Sequence, residues 1–369
     1  MRRCNEKTKM TMGENSHELN MMIRHEYRAS DLMPGTWQRA QPAQDFHVYN
    51  PALTRFRNRL LMAYRVDFGY EKPFRVATAI CVLDERLRVV PGSVVALSDT
   101  ITSEATNHYD ARFLVFGDRL FVHFNNDWNT VPNQIFLVEL DPDTLQAQSP
   151  ARLLELQGPR QPCEKNWLLF AHDGELFAIY QVAPHIVLHV DLAGSGPIRC
   201  RPVYRTAWDT TAYTRRYGEL RGGTPPVRVG ANYVSVFHSR THAQRPTPVN
   251  SSRAAATLKH MPWFRQIKRW LREHFAPVRY YGGVYAFAAE PPFAPTFLRP
   301  TPILWPEHEG PRQRPTASHM APRRVVYPCG LVHLDDGRWL VSYGIHDERA
   351  ALRVFTRQEI EGDLERALQ

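Results

Sequence analysis

The sequence lacks any run of about 18 apolar residues, so a membrane-crossing helix is not expected. Its start, Met1-Arg2-Arg3-Cys4-Asn5-Glu6-Lys7, is basic, but no apolar segment follows, so no secretory signal is expected. The five cysteines (4, 81, 163, 200 and 329) are odd in number and scattered, with no Cys-x-x-Cys pair. That argues against a disulfide framework or a zinc cluster and suits reduced thiols in a cytoplasm. No spacing of His, Asp and Glu suggests a metal site. Gly-x-Ser-x-Gly is absent, which removes serine-hydrolase chemistry, and Gly222-Gly223 is too short for a phosphate loop. No cofactor is expected. The net charge is +9, yet no run of five or six basic residues occurs. Nucleic acid is therefore not an expected partner; the basic surface suits an anionic lipid or a phosphate-bearing substrate, and equally a plain solvated face.

Turns, short strands and aromatics are plentiful. The 369 residues include 29 Pro and 20 Gly, with 43% hydrophobic and 11% aromatic residues. Hairpin turns are predicted at Arg57-Asn58, Gly117-Asp118, Asp173-Gly174, Gly230-Ala231 and Asp336-Gly337, most of them with residues that tolerate positive φ. An apolar-rich strand precedes each. Six residues after each turn comes an aromatic: Tyr64, Phe124, Tyr180, Phe237 and Tyr343. The turns are 60, 56, 57 and 106 residues apart, so five like units carry an insertion in the fourth. This register predicts an all-β chain, a five-bladed β-propeller with four short strands per blade. Residues 1–36 read as a partly disordered leader, 37–357 as the propeller with an insertion at about 243–278, and 358–369 as a tail with a short helix.

Inside the insertion, residues 259–275 have the spacing of a helix with Trp263, Ile267, Trp270 and Leu271 on one side. Arg265, Lys268, Arg269 and Arg272 fill the other. Such a helix could dock on the rim or make a peripheral contact with the inner face of a membrane. A long loop, Glu307 to Pro322, precedes the fifth unit.

In a propeller the innermost strands line a central channel, so polar residues at their entries meet. Asp110 opens the second unit and is the candidate acid. Alternation along a strand puts Arg112 on its face. The candidate substrate-binding residues are Asn50, Arg65, Tyr109, Arg112, Glu164, Lys165, Asn166, His185, Arg221, His238, Tyr327, Tyr343 and Asp347. Aromatics that stack on sugars, carboxylates that bind hydroxyls and cations that bind phosphate together suit a carbohydrate substrate with a phosphate-bearing partner. Each residue also has a plainer reading: Asp110 with Arg112, or Glu164 with Lys165, as structural pairs, and the two histidines as satisfied polar groups.

Several stretches resemble glycoside hydrolase family 130, the mannoside phosphorylases and β-mannosidases. Asn50-Pro51 and Leu61-Met62-Ala63-Tyr64-Arg65 are similar to its Asn-Pro and Leu-Tyr-Arg opening. Tyr109-Asp110-Ala111-Arg112 resembles its Glu-Asp-Pro-Arg. Arg299 to Glu307 resembles Arg-x-x-Pro-Ile-Leu-x-Pro-Glu, Val325 to Gly330 resembles Val-Val-Phe-Pro-Cys-Gly, and Ser342 to Asp347 resembles Tyr-Tyr-Gly-Ala-Ala-Asp. The resemblance implies a five-bladed propeller and inverting transfer between a β-mannoside and phosphate. It implies Asp110 as the acid, acting directly or through a substrate hydroxyl, and Arg65 among the phosphate contacts. Tyr109 and Ala111 depart from the family pattern, and the third-blade His-Arg-Pro is absent. The altered third blade, the altered fourth blade at Arg221-Gly222-Gly223-Thr224 and the insertion lean the expectation slightly toward a glycosyltransferase with a sugar-nucleotide co-substrate. The alternatives are mannoside phosphorylase and a non-catalytic glycan-binding propeller.

Overall fold

The structure, a computed structural model, describes residues 24–38, 46–69, 75–126, 133–161, 164–241, 278–312 and 323–362. The 259–275 helix, most of the leader and insertion, Pro322 with the end of its loop, and residues 363–369 lie outside them.

The described residues are mostly strand, and the strands fall into five consecutive antiparallel groups. β1 (Arg24–Tyr27) precedes the first group, β2 (His47–Phe56), β3 (Arg59–Asp67) and β4 (Val76–Leu83). The second is β5 (Tyr109–Phe116), β6 (Arg119–Asn126), β7 (Gln134–Leu140) and β8 (Arg152–Leu156). The third is β9 (Leu168–His172), β10 (Glu175–Gln181), β11 (His185–Asp191) and β12 (Ile198–Thr206). The fourth comprises β13 (Glu219–Arg221) and β14 (Val227–Val229), both paired to β15 (Asn232–Arg240), then β16 (Val278–Ala288) and β17 (Pro295–Leu298). The fifth is β18 (Arg323–His333), β19 (Trp339–Ile345) and β20 (Arg349–Phe355). β1 pairs antiparallel with β20, so part of the stretch read as leader is the outer strand of the fifth group. Four polar-rich residues, Arg-His-Glu-Tyr, carry too little alternation to be seen as a strand in sequence.

The hairpins turn as their residues dictate. Arg57 and Asn58 take φ of 46° and 61°, and Asp173 and Gly174 take 47° and 78°, the left-handed pair that matches strand twist. The fifth loop is wider: the Leu334 amide bonds the Arg338 carbonyl across it.

The core is divided among the joins between groups. One cluster joins the first and second groups through Leu61, Ile80, Phe113 and Val122. Others join the second to the third (Leu137, Leu169), the third to the fourth (Phe170, Phe287) and the fourth to the fifth (Val236, Val341). The remaining cluster joins the fifth back to the first through Leu340, Leu352, Met62 and Tyr64. The repeated aromatics Tyr64, Phe124, Phe237 and Tyr343 are fully buried in these joins. Tyr180 is the exception and is half-buried.

Close backbone approach draws the inner strands together. A Cβ on Gly330 would lie 2.2 Å from the Leu53 amide nitrogen, and one on Gly222 2.0 Å from the Asn166 carbonyl oxygen. Only glycine fits at either place, which lets the fifth group seat against the first and the fourth against the third. Ser342 Oγ donates to the Pro51 carbonyl across the first of these contacts.

Candidate active site

Two of the inner strands enter the centre through the same irregularity. β2 shifts register between Tyr49 and Ala52, and β5 between Tyr109 and Arg112. The residues responsible, Asn50 and Asp110, both have φ of 52°; Asn166, just before β9, has 66°. Asn and Asp tolerate this left-handed conformation better than other side-chain-bearing residues. A bulge sets two residues against one and re-aims the side chain. It also breaks the alternation that would place Asp110 and Arg112 on one face, so that expectation is corrected. The Arg112 side chain bonds main-chain carbonyls instead: Nε to Gly223 at 2.8 Å, and Nη1 to Asp110 at 3.0 Å and Ala111 at 2.9 Å.

The Asp110 side chain meets the first group. Asn50 Nδ2 donates to its Oδ1 at 2.7 Å, and Arg65 Nη1 lies 3.4 Å from the same oxygen. The rest of the Arg65 fork is held by Asp67, Nε to Oδ1 at 2.7 Å and Nη2 to Oδ2 at 3.0 Å. Tyr49 donates its hydroxyl to Asp67 at 2.6 Å. The rings of Tyr49 and Tyr109 flank the Arg65 guanidinium at 4.8 and 5.1 Å. Sequence reasoning named Tyr109 among the binding residues and left Tyr49 and Asp67 out of them. The signal for Tyr49 was present, since Tyr-Asn at 49–50 and Tyr-Asp at 109–110 occupy matching points of consecutive units.

Asp110 is buried, and burial by itself raises a carboxyl pKa. The charges of Arg65 and Arg112, the Asn50 amide and the charge of Lys165 outweigh it and hold the Asp110 pKa below its ordinary value. The carboxylate is thus ionised at neutral pH.

On the other side of Arg112 lie residues of the third, fourth and fifth groups. His238 Nδ1 donates to the Gly222 carbonyl at 2.7 Å, which leaves Nε2 as its acceptor. Its ring is parallel to Tyr280 at 5.9 Å and sits 4.7 Å from Tyr327. Burial, aided by Arg221, Lys165 and Arg112, lowers its pKa to about 3, so it is neutral near pH 7. Tyr327 donates to Asn166 Oδ1 at 2.5 Å and has the Arg112 guanidinium 5.5 Å from its ring centre. Asp347 pairs with Arg323 at 2.9 Å.

Beside this cluster is a cavity of about 360 Å³ walled by Glu164, Lys165, Asn166, Trp167, Tyr180 and Arg221, among others. Asp110 is not in its wall, but Lys165 is, and Lys165 is close enough to act on both Asp110 and His238. Asn50, Arg65, Tyr109, Arg112, Lys165, Asn166, Arg221, His238 and Tyr327 are therefore brought to one region, with Glu164 at its edge.

Two expected residues lie elsewhere. His185 packs 5.0 Å from Phe287 and 5.9 Å from Tyr285 in the core between the third and fourth groups. Tyr343 is fully buried and donates to Glu309 at 3.1 Å. It occupies the repeated aromatic position, and that position serves packing. Among the described residues no group of three or more His, Cys, Asp or Glu could hold a metal ion, and no helix is long and apolar enough to cross a membrane.

No family model and no curated protein sequence matches the chain. Its fold is nevertheless shared with solved carbohydrate-active proteins. A β-1,2-mannobiose phosphorylase from Listeria innocua, in complex with β-1,2-mannobiose, aligns over 93% of this chain and 99% of its own, with a TM-score of 0.54 and 16% identity. A structure described with the family 130 mannoside phosphorylases and hydrolases that target β-1,2-mannosidic linkages in Candida mannan aligns over 85% of each chain, with a TM-score of 0.56 and 12% identity. A mannose phosphorylase from Leishmania mexicana, in complex with phosphate, aligns over 86% of each chain, with a TM-score of 0.50 and 13% identity. At these identities the likeness is one of fold.

Proposed function

We propose that the five strand groups are the blades of a five-bladed β-propeller and that the protein cleaves β-mannoside-type bonds by inverting phosphorolysis. The propeller reading is supported by the cores, which join each group to the next and the fifth to the first. The slight lean toward glycosyl transfer finds no support, because the similar folds reported above are phosphorylases and glycoside hydrolases. Phosphorolysis is the better-supported alternative.

The observation that carries this reading is Asp110, a buried carboxylate kept ionised by surrounding cations. A general acid must first hold a proton. An anion bound near Lys165 and Arg221 would offset the field that keeps Asp110 ionised and raise its proton affinity. A phosphate co-substrate would thus prime the acid it needs, whereas water would not. A phosphate oxygen attacks the anomeric carbon as the glycosidic C–O bond breaks. The Asp110 proton passes to the departing oxygen, directly or through a sugar hydroxyl. The products are mannose 1-phosphate and the shortened sugar. Arg65 has most of its fork taken by Asp67, so Lys165 and Arg221 are better placed to receive phosphate.

The test is incubation with β-1,2-mannobiose, with and without phosphate, followed by chromatography. Phosphate-dependent release of mannose 1-phosphate, lost in Asp110→Asn, is expected. Release of free mannose alone would point to hydrolysis. A glycan-binding propeller without turnover is the second reading. The Asp110–Arg65 pair at 3.4 Å favours it, since a pair that never opens leaves no proton donor.

A further inference from the structure

Arg65 is held from three directions. Asp67 accepts two bonds from one edge of its guanidinium, at 2.7 and 3.0 Å. The ring of Tyr49, its cross-strand partner on β2, lies 4.8 Å from the guanidinium carbon. The ring of Tyr109, from the neighbouring group, lies 5.1 Å from it. Both tyrosines are themselves fixed. Tyr49 is buried and donates to Asp67 at 2.6 Å. Tyr109 is buried, and its hydroxyl accepts from Asn133 Nδ2 at 3.3 Å. Asn133 is buried in turn, its Oδ1 accepting from the Glu164 amide at 2.9 Å and its carbonyl from Arg160 at 2.9 Å. A planar fork seated on a carboxylate, with aromatic rings packed on it, has little freedom to turn. The orientation it keeps presents Nη1 to Asp110 Oδ1 at 3.4 Å. The Arg65 side chain is 14% exposed, so little of it can meet a ligand.

We infer that Tyr109 is a positioning residue that, with Tyr49, locks the Arg65 guanidinium against Asp110, and that Arg65 serves the acid and does not bind phosphate. This departs from the phosphate contact that the family resemblance implies for Arg65. The effect on turnover rests on the phosphorolytic reading above, but the lock itself needs no turnover. An aromatic ring at position 109 restrains the guanidinium without adding a charge beside Asp110. A carboxylate at that position would compete with Asp110 for the same cation.

The test has two arms, both on the full chain. The first is NMR of the protein carrying isotope-labelled arginine, with Arg65→Lys identifying the Arg65 signals. A ring packed on the guanidinium blocks rotation about Cζ–Nη1, because the Nη1 hydrogens must swing out of plane. The wild-type protein should therefore show two resolved Nη1 hydrogens, and Tyr109→Leu should speed their exchange about tenfold or more. Tyr109→Phe keeps the ring, loses the bond to Asn133 and should fall between. The second arm is kinetic. Tyr109→Leu should lower kcat for mannose 1-phosphate release about tenfold or more with the KM for phosphate unchanged, and Tyr109→Phe should recover most of the loss. Averaged Nη1 hydrogens in the wild-type protein, which need no variant to fold, would overturn the inference. So would equal rotation in Tyr109→Leu, or a raised KM for phosphate with kcat kept, which would make Arg65 a phosphate contact. No mannose 1-phosphate from the wild-type protein would sink phosphorolysis, and the rotation rates alone would then decide the lock.

Discussion

The Asn50 side-chain amide donates to the Asp110 carboxylate at 2.7 Å, and both residues adopt the same left-handed backbone, φ 52°, at matching entries of neighbouring units. The repeat that builds the fold thus also builds the site. One copy supplies a neutral donor and the next supplies the carboxylate that it steadies.

Replacing Asp110 by Asn should remove the proposed proton donor while keeping the volume. Phosphorolysis should fall by about 10²–10⁴-fold, with folding retained because Arg65 stays paired with Asp67. Turnover at wild-type level, measured as mannose 1-phosphate release, would dismiss Asp110 as the acid.

Arg65→Ala should leave Asp67 and Asp110 buried without their shared cation. A loss of about 3 kcal/mol or more is expected from breaking such a pair on one side, measured by urea unfolding. The alkaline limb of any activity, set by loss of the Asp110 proton, should also move to higher pH, because a cation that favours ionised Asp110 is gone. Arg65→Lys should recover little, since a single ammonium cannot replace the fork on Asp67.

Four buried histidines should make the protein sensitive to mild acid. Burial lowers His108 and His185 to about 4 and His123 and His238 to about 3, against about 6.5 when unfolded. Across that window the unfolded chain binds more protons, so stability is full above about pH 6.5 and falls as the pH drops toward 4. Thermal unfolding followed between pH 7 and 4.5 should show the melting temperature falling. His185→Phe, beside Tyr285 and Phe287, should flatten part of that fall.

Tyr343→Phe should lower stability by about 1 kcal/mol, the usual worth of one hydrogen bond, here the bond to Glu309. It should leave turnover unchanged, since the residue lies in a packing join. A drop in activity with no change in stability would return Tyr343 to the site.

Gly344→Ala should damage the site from its far side. The added Cβ would fall 2.0 Å from Asn50 Oδ1 and 3.0 Å from the Asn50 backbone nitrogen. The buried Asn50 must shift and loosen its hold on Asp110, so both melting temperature and phosphorolysis should fall. Overpacking of this kind costs about 1–3 kcal/mol.

Local chemistry determined the units. Turn residues that accept positive φ, apolar strands before them and an aromatic at a constant offset are readable from residues a few places apart. The five hairpins and the meeting of Asp110, Arg65 and Lys165 follow from that regularity. Long-range packing decided the rest. Whether an aromatic at the repeated offset faces a neighbouring group or a cavity depends on what the next group presents, so Tyr343 is core and Tyr180 is cavity wall. The bulges at Asn50 and Asp110 replace simple alternation, so Arg112 serves the backbone instead of joining the carboxylate. The strand at Arg24–Tyr27 is defined by the edge of β20, a partner more than 300 residues away, and nothing in four polar-rich residues announces it.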